Sequence, residues 1–367
     1  MLPQSNLHFN HIMKAISSGN STVYFNNECY TALNTHIANF NYSKIVLLCD
    51  TNTFEDCYPV FIQQLTTSAT IEVIQLEAGE TFKTIETCLN VWKALSELDI
   101  DRKALIINLG GGVITDLGGF VASTYKRGID YINIPTSLLA MVDASVGGKT
   151  GVDLGSLKNQ IGVINSSIMV LIDTNYLNTL PQNEMRSGLA EMLKHGLIYD
   201  EAYWKRMSDL SQLTVADLDI LIYESVLIKN TIVTQDPNEQ GLRKTLNFGH
   251  TLGHAIESYF LENKNKTTLL HGEAIAIGMI LACYLSSKLT SFNKDTCDHI
   301  KNTLLNIYEK IQFNQEDIEP IIKLMKFDKK NSHGNINFVL LQKIGTPIID
   351  QKVTNNLIYE AFKYYEN

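Results

Sequence analysis

The feature that most constrains this 367-residue chain is one junction. The apolar run Ala104–Leu109 (ALIINL) leads directly into GGGVITDLGGF (110–120), where helical spacing begins. A short apolar run, a glycine cluster and then a helix is the signature of a strand-turn-helix unit on a parallel sheet. Neighbouring segments repeat the alternation. Ile45–Cys49 (IVLLC), Ile71–Leu76, Tyr131–Ile134 and Met169–Ile172 read as strands, and Phe54–Leu65 and Thr84–Leu98 as helices. The first half is therefore expected to be a Rossmann-like α/β domain. After Asn178-Thr179-Leu180-Pro181 the pattern changes to helical periodicity over Glu184–Ile198, Leu218–Val233, Thr245–Tyr259, Gly272–Lys288 and Thr296–Lys310, with one strand-like run at Ile336–Leu341. The expected division is 1–179, a Rossmann-like α/β domain, and 180–367, a mostly α-helical domain.

Two readings of the glycine cluster are open. The glycines let backbone approach a phosphate closely, and a helix N-terminus offers unpaired N–H groups and a positive dipole end. The alternative is a tight strand-to-helix turn. The pattern departs from G-x-G-x-x-G, since position 115 is Thr. Asp50, at the end of a strand, suits ribose hydroxyls, but a carboxylate there is also a common helix cap. Gly148-Lys149-Thr150 mimics the end of a phosphate-binding P-loop, but Asp143 stands where the first glycine belongs and would repel an anion,.

NFGHTLGHAIE (247–257) places His250 and His254 on one helix face,. His271-Gly272-Glu273 opens a later helix, and Glu191 lies one turn before Lys194 and His195. Pattern alone pairs His250 with His254 as metal ligands, with ordinary hydrogen-bonded histidines as the alternative. Arg127, Lys149, Lys158, Lys194, Lys229 and Arg243 lie scattered near these motifs. Singly each reads as a surface cation; together they could hold a phosphorylated, carboxylated sugar.

Composition narrows the partners. The net charge is −9 and the pI about 5.5, so nucleic acid and anionic membrane are not expected. The six cysteines form no C-x-x-C pair, which argues against a thiolate zinc site or a redox dithiol. The start of the sequence lacks a basic stretch followed by an apolar core, and the longest apolar run, Ala274–Leu285, is short for a membrane span,. A cytoplasmic protein with reduced thiols is the expectation.

In order along the chain, GETFK (79–83), GGGVITDLGGF (110–120), KRG (126–128), PTSLLAMVDASVGGKTGVD (135–153), KNQIG (158–162), GLAEMLKHG (188–196), GLRKTLNFGHTLGHAIE (241–257), HGEAIAIGM (271–279) and DKK (328–330) resemble the 3-dehydroquinate synthase family of the sugar-phosphate cyclases. One departure is Leu157, where that family usually has Gly. The resemblance implies a shikimate-pathway lyase that converts 3-deoxy-D-arabino-heptulosonate 7-phosphate to 3-dehydroquinate and phosphate with NAD+ and Zn2+ or Co2+. It implies Glu191, His250 and His271 as metal ligands and makes His254 an acid/base group, against the pairing above. It implies NAD+ contacts from Asp50, Glu80, Lys83, Gly112, Val113, Ile114, Thr115, Asp116, Thr136, Ser137, Lys149, Lys158, Tyr176, Leu177, Asn178 and Thr179, making 1–179 the NAD-binding domain and 180–367 the metal- and substrate-binding one. Asp143, Lys149, Asn159, Lys194, Lys229, Arg243 and Asn247 would surround the substrate, with Lys158 between substrate and cofactor. Arg127 would reach the phosphate, across a homodimer interface, helped by Lys329 or Lys330. The competing readings are a sister cyclase, a metal- or NAD-dependent polyol dehydrogenase of related architecture, and a non-catalytic binding protein.

Overall fold

The computed structural model describes residues 13–155, 157–209, 214–325 and 336–367. Eleven strands and thirteen α-helices lie among them. The strands are β1 (Ile16–Ser18), β2 (Ser21–Phe25), β3 (Lys44–Asp50), β4 (Thr70–Leu76), β5 (Leu105–Gly110), β6 (Asp130–Pro135), β7 (Lys149–Leu154), β8 (Leu157–Ile164), β9 (Met169–Ile172), β10 (Asn337–Lys343) and β11 (Thr346–Lys352). The helices are α1 (Glu28–Phe40), α2 (Thr51–Asp56), α3 (Tyr58–Gln64), α4 (Ile85–Glu97), α5 (Gly112–Thr124), α6 (Gln182–Tyr199), α7 (Glu201–Met207), α8 (Val215–Gln235), α9 (His250–Glu262), α10 (His271–Leu289), α11 (Lys294–Ile307), α12 (Gln315–Leu324) and α13 (Asn355–Glu366).

Seven strands form one sheet in the order β1-β2-β9-β6-β5-β3-β4, parallel except for β1. The central strands are apolar because both faces are covered. Alternation then assigns residues to faces. Ile45, Leu47, Cys49, Leu105, Ile107 and Leu109 join a core that continues into the helical half. Val46, Leu48 and Ile106 pack on the other face against Val91 and Leu95 of α4 and Leu117 and Phe120 of α5. From β3 the chain crosses to β4 on one side and later returns to β5 on the other. The order therefore reverses between β3 and β5, and the carboxyl ends of these strands open there.

Two expectations change. The helix read over Phe54–Leu65 is two helices that break at Cys57. Pro59, near the start of α3, has no N–H to continue a helical ladder and its ring crowds the preceding turn,. The helix read over Thr245–Tyr259 begins only at His250, after a 3₁₀ turn at Leu242–Asn247. Gly249, at φ +78°, makes the break in a left-handed conformation,. Gly148-Lys149-Thr150 enters strand β7 and not a helix, in line with the dismissal of a P-loop. The pattern also passed over β1, β2 and α1, the antiparallel hairpin β7–β8, strand β11, and helices α12 and α13. The 19-residue α10 has the length and hydropathy of a membrane span, but most of it is buried inside the fold.

Candidate active site

Two helices that nearly touch build the centre. A Cβ on Gly278 of α10 would lie 2.0 Å from the Gly249 carbonyl oxygen and 2.9 Å from the Gly253 nitrogen. Glycine at 278 thus lets α10 press against the start of α9. Likewise, a Cβ on Gly272 would lie 2.4 Å from Cα of Ser187 on α6. These contacts bring His250 and His254 of α9, His271 of α10 and Glu191 of α6 around one point.

The three imidazole centroids are 5.1 to 5.7 Å apart, and one nitrogen from each lies within 4.8 Å of the others. Glu191 Oε1 stands 3.3 Å from His250 Nε2 and 3.6 Å from His271 Nε2. That oxygen is buried and receives no hydrogen bond of ordinary geometry. Its partner oxygen pairs with Lys194. Both imidazoles are oriented from behind. His250 Nδ1 is 3.0 Å from the Phe248 carbonyl, and His271 Nδ1 is 3.2 Å from Glu257 Oε2. Carbonyl and carboxylate only accept, so each Nδ1 carries a proton, and each Nε2 is the nitrogen that offers a lone pair once a bound cation displaces its own proton.

A carboxylate oxygen without a hydrogen bond, faced by two oriented imidazole nitrogens, is the donor set of a borderline divalent cation such as Zn2+ or Co2+. The residues fit a metal. His254 is near enough to be a fourth donor, so distance alone does not decide between the His250–His254 pairing and the set with Glu191.

The charges around the cluster are mutually compensated. Burial pushes the Glu191 carboxyl up, but Lys194 and His250 hold it well below the usual carboxylate range. Burial opposes a charge on His271, yet Glu257 and Glu191 lift it to about 10. Glu257, against its own burial, is held at about 2 by His271 and Lys158. His195, on the same helix as Glu191, is brought to about 3 by burial and Lys194, so it is neutral. Its Nδ1 meets Ser225 Oγ at 2.8 Å.

The scattered cations converge. Lys149, Lys158, Lys194, Lys229 and Arg243 line one cleft of about 760 Å³ with Asp143, Asn159, Asn247, His254 and the candidate ligands His250 and His271. Lys149 pairs with Glu239, Lys229 with Asp143, and Lys158 with Glu80 at 2.7 Å. Arg243 donates to the carbonyls of Gly147 and Pro237. Asn247 donates to Glu239 at 2.8 Å. Arg127 is not part of this cleft. It is exposed on the turn after α5, where Lys126 and Arg127 both have positive φ, +48° and +68°. Lys329 and Lys330, and the first twelve residues, lie outside the described residues.

The residues expected to meet a nucleotide gather at the carboxyl edge of the sheet. Gly110 ends β5, Gly111 is the N-cap of α5, and no side chain caps that helix. Thr136 and Ser137 follow β6, and Thr136 N–H donates to the Gly110 carbonyl at 3.0 Å. Tyr176, Leu177, Asn178 and Thr179 form the turn after β9. An open helix N-terminus that begins with three glycines, between strand ends, fits a dinucleotide pyrophosphate. Asp50 does cap a helix: its Oδ1 accepts the Thr53 N–H at 2.8 Å. Glu80 and Lys83 lie on the turn after β4, and Lys83 Nζ is held by Asp116 and Asn159, each at 2.6 Å. Sequence reasoning passed over Glu239 and Glu257. Glu257 had a signal, since it falls three residues after His254 on the same helix face.

The structure superposes on a solved 2-deoxy-scyllo-inosose synthase complexed with carbaglucose-6-phosphate, NAD+ and Co2+, with a TM-score of 0.80 at 24% identity, covering 96% of this chain and 99% of that one. It also superposes on the NADH-dependent butanol dehydrogenase A of Thermotoga maritima, with a TM-score of 0.65 at 13% identity, covering 93% and 96%. These likenesses establish the fold, which cyclases and dehydrogenases share. Sequence goes further. Residues 73–187 match the family model for the 3-dehydroquinate synthase N-terminal region, and 188–331 that for the C-terminal region. The 3-dehydroquinate synthase of Parabacteroides distasonis is 41% identical over 336 residues, 91% of this chain and 94% of that protein. The chain belongs to the 3-dehydroquinate synthase family.

Proposed function

We propose that the chain converts 3-deoxy-D-arabino-heptulosonate 7-phosphate to 3-dehydroquinate and phosphate, a carbon-oxygen lyase reaction of the shikimate pathway, with catalytic NAD+ and a divalent metal. The observation that carries this is the convergence of five cations and a three- or four-donor cluster in one cleft. A polyol dehydrogenase has no use for so many anion-binding side chains, and the curated relative at 41% identity is a 3-dehydroquinate synthase.

In this reading Glu191, His250 and His271 hold Zn2+ or Co2+. The N-terminus of α5 at Gly112–Asp116, with Asp50, Glu80, Lys83, Thr136, Ser137 and Tyr176–Thr179, holds NAD+. When bound, NAD+ would supply reversible hydride acceptance and the metal would supply Lewis acidity towards substrate hydroxyls and a carbonyl. Lys149, Lys194, Lys229 and Arg243 bind the substrate carboxylate and phosphate, fixing one geometry for elimination and ring closure. Asp143 keeps Lys229 in place, and Asn159 and Asn247 donate to substrate oxygens. His254 moves a proton at a substrate hydroxyl. Arg127 reaches the phosphate from a second copy in a homodimer, which accounts for its place away from its own cleft. The division 1–179 and 180–367 fits the end of the last sheet strand at Ile172 and the start of α6 at Gln182.

The test is turnover: purified protein, NAD+ and Zn2+ or Co2+, with the heptulosonate phosphate. Phosphate release with formation of the ring product is expected. No release under either metal would remove the assignment.

A further inference from the structure

Glu257 belongs neither to the donor cluster nor to the cations, yet it joins them. It is buried, 8% exposed, seven residues after His250 on α9. Its two oxygens serve two other elements. Oε2 meets His271 Nδ1 at the start of α10 at 3.2 Å. Oε1 stands 3.4 Å from Lys158 Nζ on β8. Lys158 in turn bonds Glu80 at 2.7 Å, in the turn after β4.

We propose that Glu257 is the positioning residue for His271, and that Lys158 fixes Glu257. The inference rests on His271 being a metal ligand in the function proposed above. The physical argument has three parts. A carboxylate behind Nδ1 fixes the tautomer and ring plane that aim Nε2 at the cluster, and it raises the basicity of that nitrogen. Behind Nδ1 of His250 stands the neutral Phe248 carbonyl, 3.0 Å away, where His271 has a carboxylate. Once His271 is neutral, as a ligand must be, Glu257 would be a buried anion without its nearest counter-charge; Lys158 supplies the charge that remains.

The test uses metal alone, without substrate or NAD+. Metal-free protein competes with a chromophoric chelator for Zn2+, and the Co2+ form is read by its visible absorption. Glu257→Gln keeps the shape and removes the charge. It is expected to weaken Zn2+ binding by about 10–100-fold and to move the Co2+ bands, with the circular dichroism melt retained. Lys158→Met touches no donor atom, yet it is expected to weaken Zn2+ several-fold. The double variant is expected to be no worse than Glu257→Gln alone, because both act through one contact. A folded Glu257→Gln protein with wild-type Zn2+ affinity and an unmoved Co2+ spectrum overturns the inference and leaves the metal site standing. Should that variant not fold, unchanged Zn2+ affinity in Lys158→Met overturns it instead. Wild-type protein that takes up neither metal overturns the metal site itself, and the inference with it.

Discussion

The two halves of the cleft are made of different material. The nucleotide edge is mainly backbone: Gly110–Gly112, an uncapped helix start and three strand-end turns. The side that carries the donor cluster and the cations is almost wholly side chain, with Glu191, Lys194 and Lys229 buried where charge is costly unless matched,. The contrast predicts different failures. The backbone site should suffer from added volume or added negative charge, and the side-chain site from the loss of any one partner.

Glu191→Ala is the severest break. It removes a ligand and leaves Lys194 unpaired, so metal content and activity should fall together, activity by about 10³-fold or more, with a folded far-ultraviolet spectrum. A variant that keeps full turnover with metal bound would end the metal role of Glu191. His254→Ala sharpens the same side. As an acid/base group its loss should lower kcat by about 10²–10⁴-fold with metal content nearly intact. Metal stripped from that variant would restore the His250–His254 ligand pairing instead.

Gly111→Asp addresses the backbone side. Gly111 is an N-cap in extended conformation, so Asp there can cap α5, a gain of roughly a few tenths of a kcal/mol over glycine set against crowding with Ser137 Oγ, 3.2 Å from the new Cβ. The same carboxylate would repel a pyrophosphate. NAD+ affinity, by equilibrium titration, should fall about 10–100-fold, on the order of 1.4–2.8 kcal/mol, while the melting temperature holds. An unchanged NAD+ affinity would leave the glycines as a turn and nothing more.

The smallest effect is on pH. Burial and Lys194 take His195 from 6.5 to about 3. The unfolded chain therefore binds a proton below pH 6.5 that the folded chain refuses, and stability from this group is full above 6.5 and lost as pH falls towards 3. His271, raised to about 10, acts oppositely: its contribution is full below 6.5 and lost as pH rises to 10. Urea unfolding between pH 6 and 5 isolates His195, since His271 is protonated in both states at the lower end. His195→Gln should flatten the acid slope by about 1 kcal/mol per pH unit; an unaltered slope would show that His195 is charged in the native protein.

What was legible in the sequence follows the same division. Strands β3, β5 and β6 show as apolar runs because both sheet faces bury them, and the strand-glycine-helix junction is contiguous in the chain. The hairpin β7–β8 left no such trace. It is held where Gly151 and Gly162 face each other, a Cβ on either falling within 2.4 Å of the opposite backbone, and glycines carry no alternation to read. The convergence of Lys149, Lys158, Lys194, Lys229 and Arg243 could not be read at all, because each comes from a separate element. Glu239 was hidden for another reason. It sits in a loop at φ +58°, a conformation that no hydrophobic pattern encodes. The donor cluster was half legible from spacing: it paired His250 with His254, whereas the Glu191 oxygen joins them through the packing of α6 against α10.

The crossing at Gly278 makes the donor cluster hostage to one hydrogen atom. Alanine there would push a methyl into the Gly249 carbonyl, so α10 would have to retreat and carry His271 away from its companions. The donor cluster could then be dismantled without altering a single donor atom.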